Sequence, residues 1–317
     1  MKRQFLLITI FLIGTLLLFS ADIKYGGQYY PGEFLLDGYD FFEAYDLDVD
    51  HILFSSGTEN NIALISGGID VNVGSDSKSV ALFQAMGPQA VIIGVIQRGD
   101  RYSTVVSPDS EYQTWEDLKG KTVATRFGSG AEFVLRKYFD SQDNLSWDDY
   151  RWVNLNTEDM VSTLASGQIE AFTVWAPTGE IAVSQGVGRI IKSYGDVAKT
   201  PVQIHVNKRF AEQNRELIVK FLAAHLKKAQ MIKEHPELAA QYAAQAAKEK
   251  GIEITQAAFQ LIFERIDFSL VFDETLIDDL TETAQFLLDQ GKIRKIPDFY
   301  IDTSYLEEAK ALIEEEK

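Results

Sequence analysis

The residues of this chain best suited to chemistry are binding groups. Gly128-Ser129-Gly130 lies between an apolar run at 122–125 and a helical pattern reaching about residue 140. In such a strand-to-helix turn, free backbone amides and the helix dipole favour a negative group. The turn is not a P-loop, because no Gly-Lys-Ser/Thr follows, and it lacks the third glycine of a dinucleotide fingerprint. Ser129 also suits a helix cap, with Glu132 as its capping-box partner, and Ser56 stands in the same relation to Glu59. Asp76 has no such capping pattern and is the acid expected to face a ligand. Tyr25, Tyr29, Tyr30 and Trp175 fall near the ends of candidate strands. There a rigid ring can stack on a planar ligand or pack an alkyl chain.

Signals of catalysis are weak. His51, His205, His225 and His235 form neither a His-Glu-x-x-His pair nor a metal cluster, and no Gly-x-Ser-x-Gly elbow occurs. The charges around His225 and His235 read as a solvated helix face, as do Asp278-Asp279 and Glu314-Glu315-Glu316. No cofactor, metal or catalytic residue is expected.

The elements that must position these groups announce themselves by a repeat. Leu64-Ile65-Ser66-Gly67-Gly68-Ile69-Asp70 recurs as Leu164-Ala165-Ser166-Gly167-Gln168-Ile169-Glu170. Each copy reads as a helix end, a glycine stop and an apolar strand, at 69–73 and 169–174. Ligands of open α/β sheets lie beyond the carboxyl ends of strands. Two such units therefore suggest two lobes facing one cleft. Along the chain, strands are expected at 23–25, 49–54, 69–73, 90–96 and 122–125, with a glycine- and tyrosine-rich loop at 26–32 and helical spacing at 34–45. From residue 208 amphipathic helices follow at 209–233, 237–249, 255–265, 274–290 and 303–315. The lobes are expected to be joined by crossings near 97–103 and 200–207.

At 317 residues, 46% hydrophobic and 24% charged, the chain can form two globular domains. Its net charge of −17 argues against nucleic acid and anionic membranes as partners. Lys2-Arg3, an apolar run from 5 to 19 and Ser20-Ala21 have the form of a secretory signal over 1–21, and the run is short of the about 20 residues of a spanning helix. Cysteine is absent, so the chain has neither disulfides nor a residue to carry an N-terminal lipid.

Four stretches together resemble the periplasmic solute-binding proteins of the nitrate/sulfonate/taurine importers, a group that includes binders of thiamine-pyrimidine precursors. They are Gly38 to Val49 with Phe41-Phe42-Glu43, Ser56-Gly57 with Ala63-Leu64 and Gly67 to Asp70, Trp115 to Thr125 leading to Gly128-Ser129, and Leu164 to Trp175. Asp46 stands where the family usually has glycine before Leu-x-Val. The resemblance implies an α/β, two-lobed periplasmic binding protein (type II-like), each lobe a mixed sheet flanked by helices, with C-terminal helices. Lobe 1 would comprise 22–100 and 204–317, and lobe 2 would comprise 101–203. The protein would be a periplasmic monomer that takes a small ligand to the permease of an ABC importer; the alternative is an enzyme on the same fold, of pyrimidine-synthesising or menaquinone-pathway type. Carried over by position, the ligand contacts would be Gln28, Tyr29, Tyr30, Ser55, Ser56, Asp76, Ser77, Gly128, Ser129, Gly130, Glu132 and Trp175. Acids at three loop tips, if inward, would repel a sulfonate and favour an amine-bearing planar ligand such as an aminopyrimidine.

Overall fold

A computed structural model describes residues 21–316. The expected signal segment therefore lies almost wholly outside the described residues. The first part of the chain forms β1 (Ile23–Gln28), α1 (Pro31–Gly38), β2 (Val49–Phe54), α2 (Gly57–Ile65), β3 (Val71–Ser75), α3 (Asp76–Met86) and β4 (Ala90–Gly99). The middle forms β5 (Tyr102–Val106), β6 (Thr122–Thr125), α4 (Gly130–Asp140), β7 (Arg151–Asn154), α5 (Thr157–Ala165), β8 (Ala171–Trp175), α6 (Thr178–Ser184) and β9 (Arg189–Ser193). The last part returns through β10 (Val202–Asn207), then α7 (Lys208–Gln213), α8 (Arg215–Glu234), α9 (Pro236–Glu249), α10 (Gln256–Arg265), β11 (Ile266–Asp267), α11 (Leu276–Asp289) and α12 (Ser304–Glu315).

Two mixed sheets result. One has the order β11-β4-β10-β3-β1-β2 and the other β7-β6-β8-β5-β9. In the first, β1 is parallel to β2 and β3, while β10 is antiparallel to β3 and β4. In the second, β6 is parallel to β7 and β8, while β5 is antiparallel to β8 and β9. The arrangement β2-β1-β3-β10 is thus matched by β7-β6-β8-β5. The sequence repeat occupies equivalent places, α2 into β3 and α5 into β8. Gly67 (φ 75°) and Gly167 (φ 72°) turn the chain between helix and strand. The repeated acid has one job in both copies. Asp70 accepts the amide of Lys24 at 2.9 Å and Glu170 accepts that of Thr122 at 2.8 Å, each tying a central strand to its neighbour.

Several expectations are corrected. The strand placed at 23–25 runs on to Gln28, through the glycines read as loop. The helix placed at 34–45 stops at Gly38. Asp40 then accepts the amides of Phe42 and Glu43 and starts a separate 3-10 turn, Glu43–Tyr45. Asp46 follows at φ 50°, a left-handed conformation that aspartate tolerates and glycine adopts without strain. His225 is not on a wet face. It is fully buried, edge-on to Tyr25 and against Phe221.

The main core lies between the first sheet and α1, α8, α9 and α10, and the second lobe has its own core around Trp115, Phe139 and Tyr150. The C-terminal helices are therefore structural members of the first lobe, because their apolar faces complete its core.

Candidate functional site

A cavity of about 990 Å³ opens between the two sheets. It is lined by the loops that leave the carboxyl ends of β1, β2, β3, β6, β7 and β8, so the starts of α2, α3, α4, α5 and α6 border it. The first amides of a helix have no intrahelical acceptor, and its N-terminus carries partial positive charge. Several such ends at one cavity favour an anion there.

From the first sheet come Gln28, Tyr29 and Tyr30 after β1, Ser55 and Ser56 after β2, and Ser77 at the start of α3. Gln28 is held by a 2.8 Å bond from Nε2 to the Val73 carbonyl. Tyr29 is 41% exposed, with its ring stacked near Phe34, whereas Tyr30 is buried beside Arg101. Ser56 caps α2 by accepting the Glu59 amide, and Ser55 donates to the Glu59 carboxylate at 3.0 Å. Glu59 thus keeps to local helix-end work. From the second sheet come Gly128, Ser129 and Gly130 before α4, and Trp175 at the end of β8. Ser129 accepts the Ala131 amide and donates to the Arg126 carbonyl at 2.6 Å, which fixes the turn.

Two expected contacts are placed elsewhere. Asp76 is buried, accepts from Gln203 Nε2 at 2.9 Å, and lines a smaller neighbouring pocket with Ser75, Ser77 and Tyr102. Burial raises its pKa to about 7, against the opposing Gln203 hydrogen bond and Arg101 charge. Glu132 turns back on its own helix, accepting the Gly128 amide at 2.7 Å and the Arg136 guanidinium at 2.8 and 2.9 Å. Neither lines the large cavity. Tyr25 is also buried away from it, donating to Glu33 at 2.6 Å.

The groups that sequence reasoning missed are cations. Among the described residues, Lys78, Arg101 and Arg126 line the cavity, against a single acid, Glu158. Among the described residues none of the three forms an ion pair. Lys78 donates to Thr58 Oγ1 at 3.2 Å. Arg101, only 2% exposed, donates to Tyr102 Oη at 2.9 Å and to Thr200 Oγ1 at 3.4 Å. Burial, and then the Arg126 charge, hold the Lys78 pKa below the ordinary lysine value. A chain of net charge −17 therefore presents a cationic cavity. The only signal that could have found Arg101 is its place in an expected crossing between lobes.

The family pattern described as "NMT1/THI5 like" matches residues 37–239. The chain belongs to the NMT1/THI5-like family. Within that family's reach, the binding protein YtlA of Bacillus subtilis is 25% identical over 65% of this chain and 64% of its own length. A protein of Escherichia coli named as an aliphatic-sulfonates-binding protein is 28% identical over 54% of this chain and 53% of its own. The chain thus aligns with about half to two-thirds of the length of these curated relatives. Among solved structures, the periplasmic aliphatic sulphonate binding protein SsuA from Escherichia coli superposes with a TM-score of 0.74 at 22% identity, over 87% of this chain and 89% of that one. The NMT1/THI5-like chain described here has that two-lobed periplasmic-binding-protein fold.

Proposed function

We propose that the protein is the extracytoplasmic receptor of an ABC importer, and that it captures a small organic anion of sulfonate type between its lobes. One observation carries the reading: Arg101, Lys78 and Arg126, none in an ion pair among the described residues, line a cavity bordered by helix N-termini in a strongly acidic chain. An amine-bearing ligand finds only Glu158 there, so the aminopyrimidine expectation gives way. The sulfonate-binding names of the relatives support the same chemistry. The proposed contacts are Gln28, Tyr29, Tyr30, Ser55, Ser56, Ser77, Gly128, Ser129, Gly130 and Trp175, with the three cations added.

The two lobes meet at crossings around Arg101 and Thr200, and closure about these would bury the ligand in a hinge transition. The partner is the importer's membrane permease. Residues 1–21 would direct export to the periplasm. Capture rather than catalysis agrees with the binding-protein names of the relatives. Thermal unfolding tests the reading against two panels, one of sulfonates and nitrate, the other of aminopyrimidines and thiamine. A true ligand at about 100 times its Kd stabilises by about 2.7 kcal/mol. A shift in the first panel alone is expected, and a shift in the second alone refutes the anion assignment.

A further inference from the structure

A line of buried hydrogen bonds leads inward from Asp76 and ends on a backbone carbonyl. Gln203 Nε2 donates to Asp76 Oδ1 at 2.9 Å, Gln203 Oε1 lies 2.6 Å from Ser79 Oγ, and Ser79 Oγ lies 2.8 Å from His205 Nε2. His205 Nδ1 meets Asn72 Oδ1 at 2.9 Å, Asn72 Nδ2 donates to Asn61 Oδ1 at 3.0 Å, and Asn61 Nδ2 donates to the Lys78 carbonyl at 2.8 Å. All six side chains are buried, so a donor or acceptor left over here costs free energy.

The Lys78 carbonyl can only accept, which fixes the direction of both asparagines and makes His205 Nδ1 a donor. The Ser79 hydroxyl has one proton for two near neighbours. If the proton goes to Gln203, His205 Nε2 must donate as well, and the chain holds an imidazolium and a carboxylate. If it goes to His205 Nε2, the Gln203 amide turns over, and its Oε1 needs a proton from Asp76. Either arrangement contains one proton more than a carboxylate with a neutral imidazole. Giving the Ser79 proton to the more distant Ser75 carbonyl, at 3.3 Å, demands a further one. Burial lowers the His205 pKa to about 3 and raises that of Asp76 to about 7, so the extra proton belongs on Asp76.

The charged and titratable groups facing Asp76 are Arg101 from the β4–β5 crossing, Asp279 from α11, Tyr30 after β1 and Tyr102 on β5. Of these only Arg101 favours the carboxylate, and Arg101 also lines the ligand cavity. An anion seated against Arg101 therefore competes with Asp76 for one positive charge. Resting on the anion-receptor reading above, we propose that capture is proton-linked: as an anion settles against Arg101, Asp76 takes up a proton from solvent and the Gln203 amide turns over to receive it. The anion raises the Asp76 pKa from its free value of about 7. The added affinity is thus full below about pH 7 and is lost as pH rises through the higher value of the complex.

Calorimetric titration of the purified protein with ethanesulfonate, benzenesulfonate and nitrate, all anions of strong acids, tests this. Repeating each titration near neutral pH in buffers of different ionisation enthalpy counts the protons bound. The expected result is an uptake of up to one proton and a Kd that rises by up to about tenfold per pH unit above about pH 7. Asp76→Asn, whose amide can donate to Gln203 as the protonated acid does, should bind with no proton uptake and a Kd independent of pH. Infrared difference spectra of the parent should show protonated carboxyl gained on anion binding, a reading that needs no variant. Binding with no proton uptake and a flat Kd overturns the linkage and leaves the anion reading standing. Uptake that persists in Asp76→Asn overturns the role of Asp76. No binding by any of the three anions overturns the anion reading, and the linkage with it.

Discussion

Arg101 lies where the two crossings meet. Its backbone leads from β4 to β5, and its guanidinium reaches Thr200, a residue held at φ 41° just before β10. Arg101 forms no ion pair among the described residues, and the buried Asp76, whose ionised form its charge favours, can take up a proton in Arg101→Met, so the fold should persist. Hydrogen bonds to charged groups contribute about 1.5–3 kcal/mol. Sulfonate affinity should therefore fall roughly tenfold to hundredfold in titration, with the unfolding midpoint little changed. Normal affinity in this variant would remove Arg101 from the site. At this scale the sequence is read unevenly. That Tyr29, Tyr30 and Trp175 would border a cavity was legible because strand ends are legible. The role of Asp76 was not, since its partner Gln203 is distant in sequence and joins it only through the β3–β10 pairing. The cations were silent too, because one Lys or Arg in a loop carries no pattern.

Between the repeat helices and strands, glycine is required by backbone angle alone. A Cβ added at Gly67 or Gly167 would meet nothing within 4 Å, so any cost of substitution is conformational. Alanine in the left-handed region costs roughly 1–2 kcal/mol. Gly67→Ala and Gly167→Ala should each lower urea-unfolding stability by about that amount, and asparagine, which tolerates this conformation, should restore part of it. An alanine variant as stable as the parent would contradict the assigned turn. A second element-level feature was unreadable beforehand. His51 on β2 sits between two acids of α1, Asp37 at 2.8 Å and Glu33 at 3.2 Å, with Tyr25, Lys228, Lys250 and His225 close by. Burial alone would lower the His51 pKa. Hydrogen bonds to Asp37 and Glu33, and their charges, outweigh it and raise the value to about 9. The folded pKa exceeds the unfolded value of about 6.5, so this stabilisation is full below about pH 6.5 and is lost as pH rises through about 9. The stability difference between the parent and His51→Gln, which isolates this group from its neighbours, should shrink over that window by on the order of 3 kcal/mol. A difference that stays constant with pH would show that His51 is not charged in the fold.

For the whole molecule, the repeat and the amphipathic C-terminal helices carried most of the fold in advance, because glycine stops and helical periodicity are local. How those helices close on the second lobe is long-range and was not legible. Phe286 on α11 meets Phe133 on α4 with ring centroids 5.3 Å apart, beside a 2.6 Å pair of Lys137 and Glu282. The first belongs to the C-terminal helices and the second to the other lobe, and both lie outside the ligand cavity. If the lobes part when the ligand leaves, these contacts exist only in the closed state. Ligand affinity then scales with the closed fraction. An aromatic pair contributes about 0.5–1.5 kcal/mol beyond its buried area. Phe286→Ala should therefore weaken sulfonate binding by roughly two- to tenfold without touching the site, and should expand the ligand-free protein in small-angle scattering. Exposed ion pairs contribute little, so Glu282→Gln should change neither reading appreciably. If Phe286→Ala binds as the parent does, the α4–α11 contact is not coupled to closure. If its affinity falls while the scattering profile stays fixed, the free protein is already mostly open and the contact forms as the ligand closes the lobes.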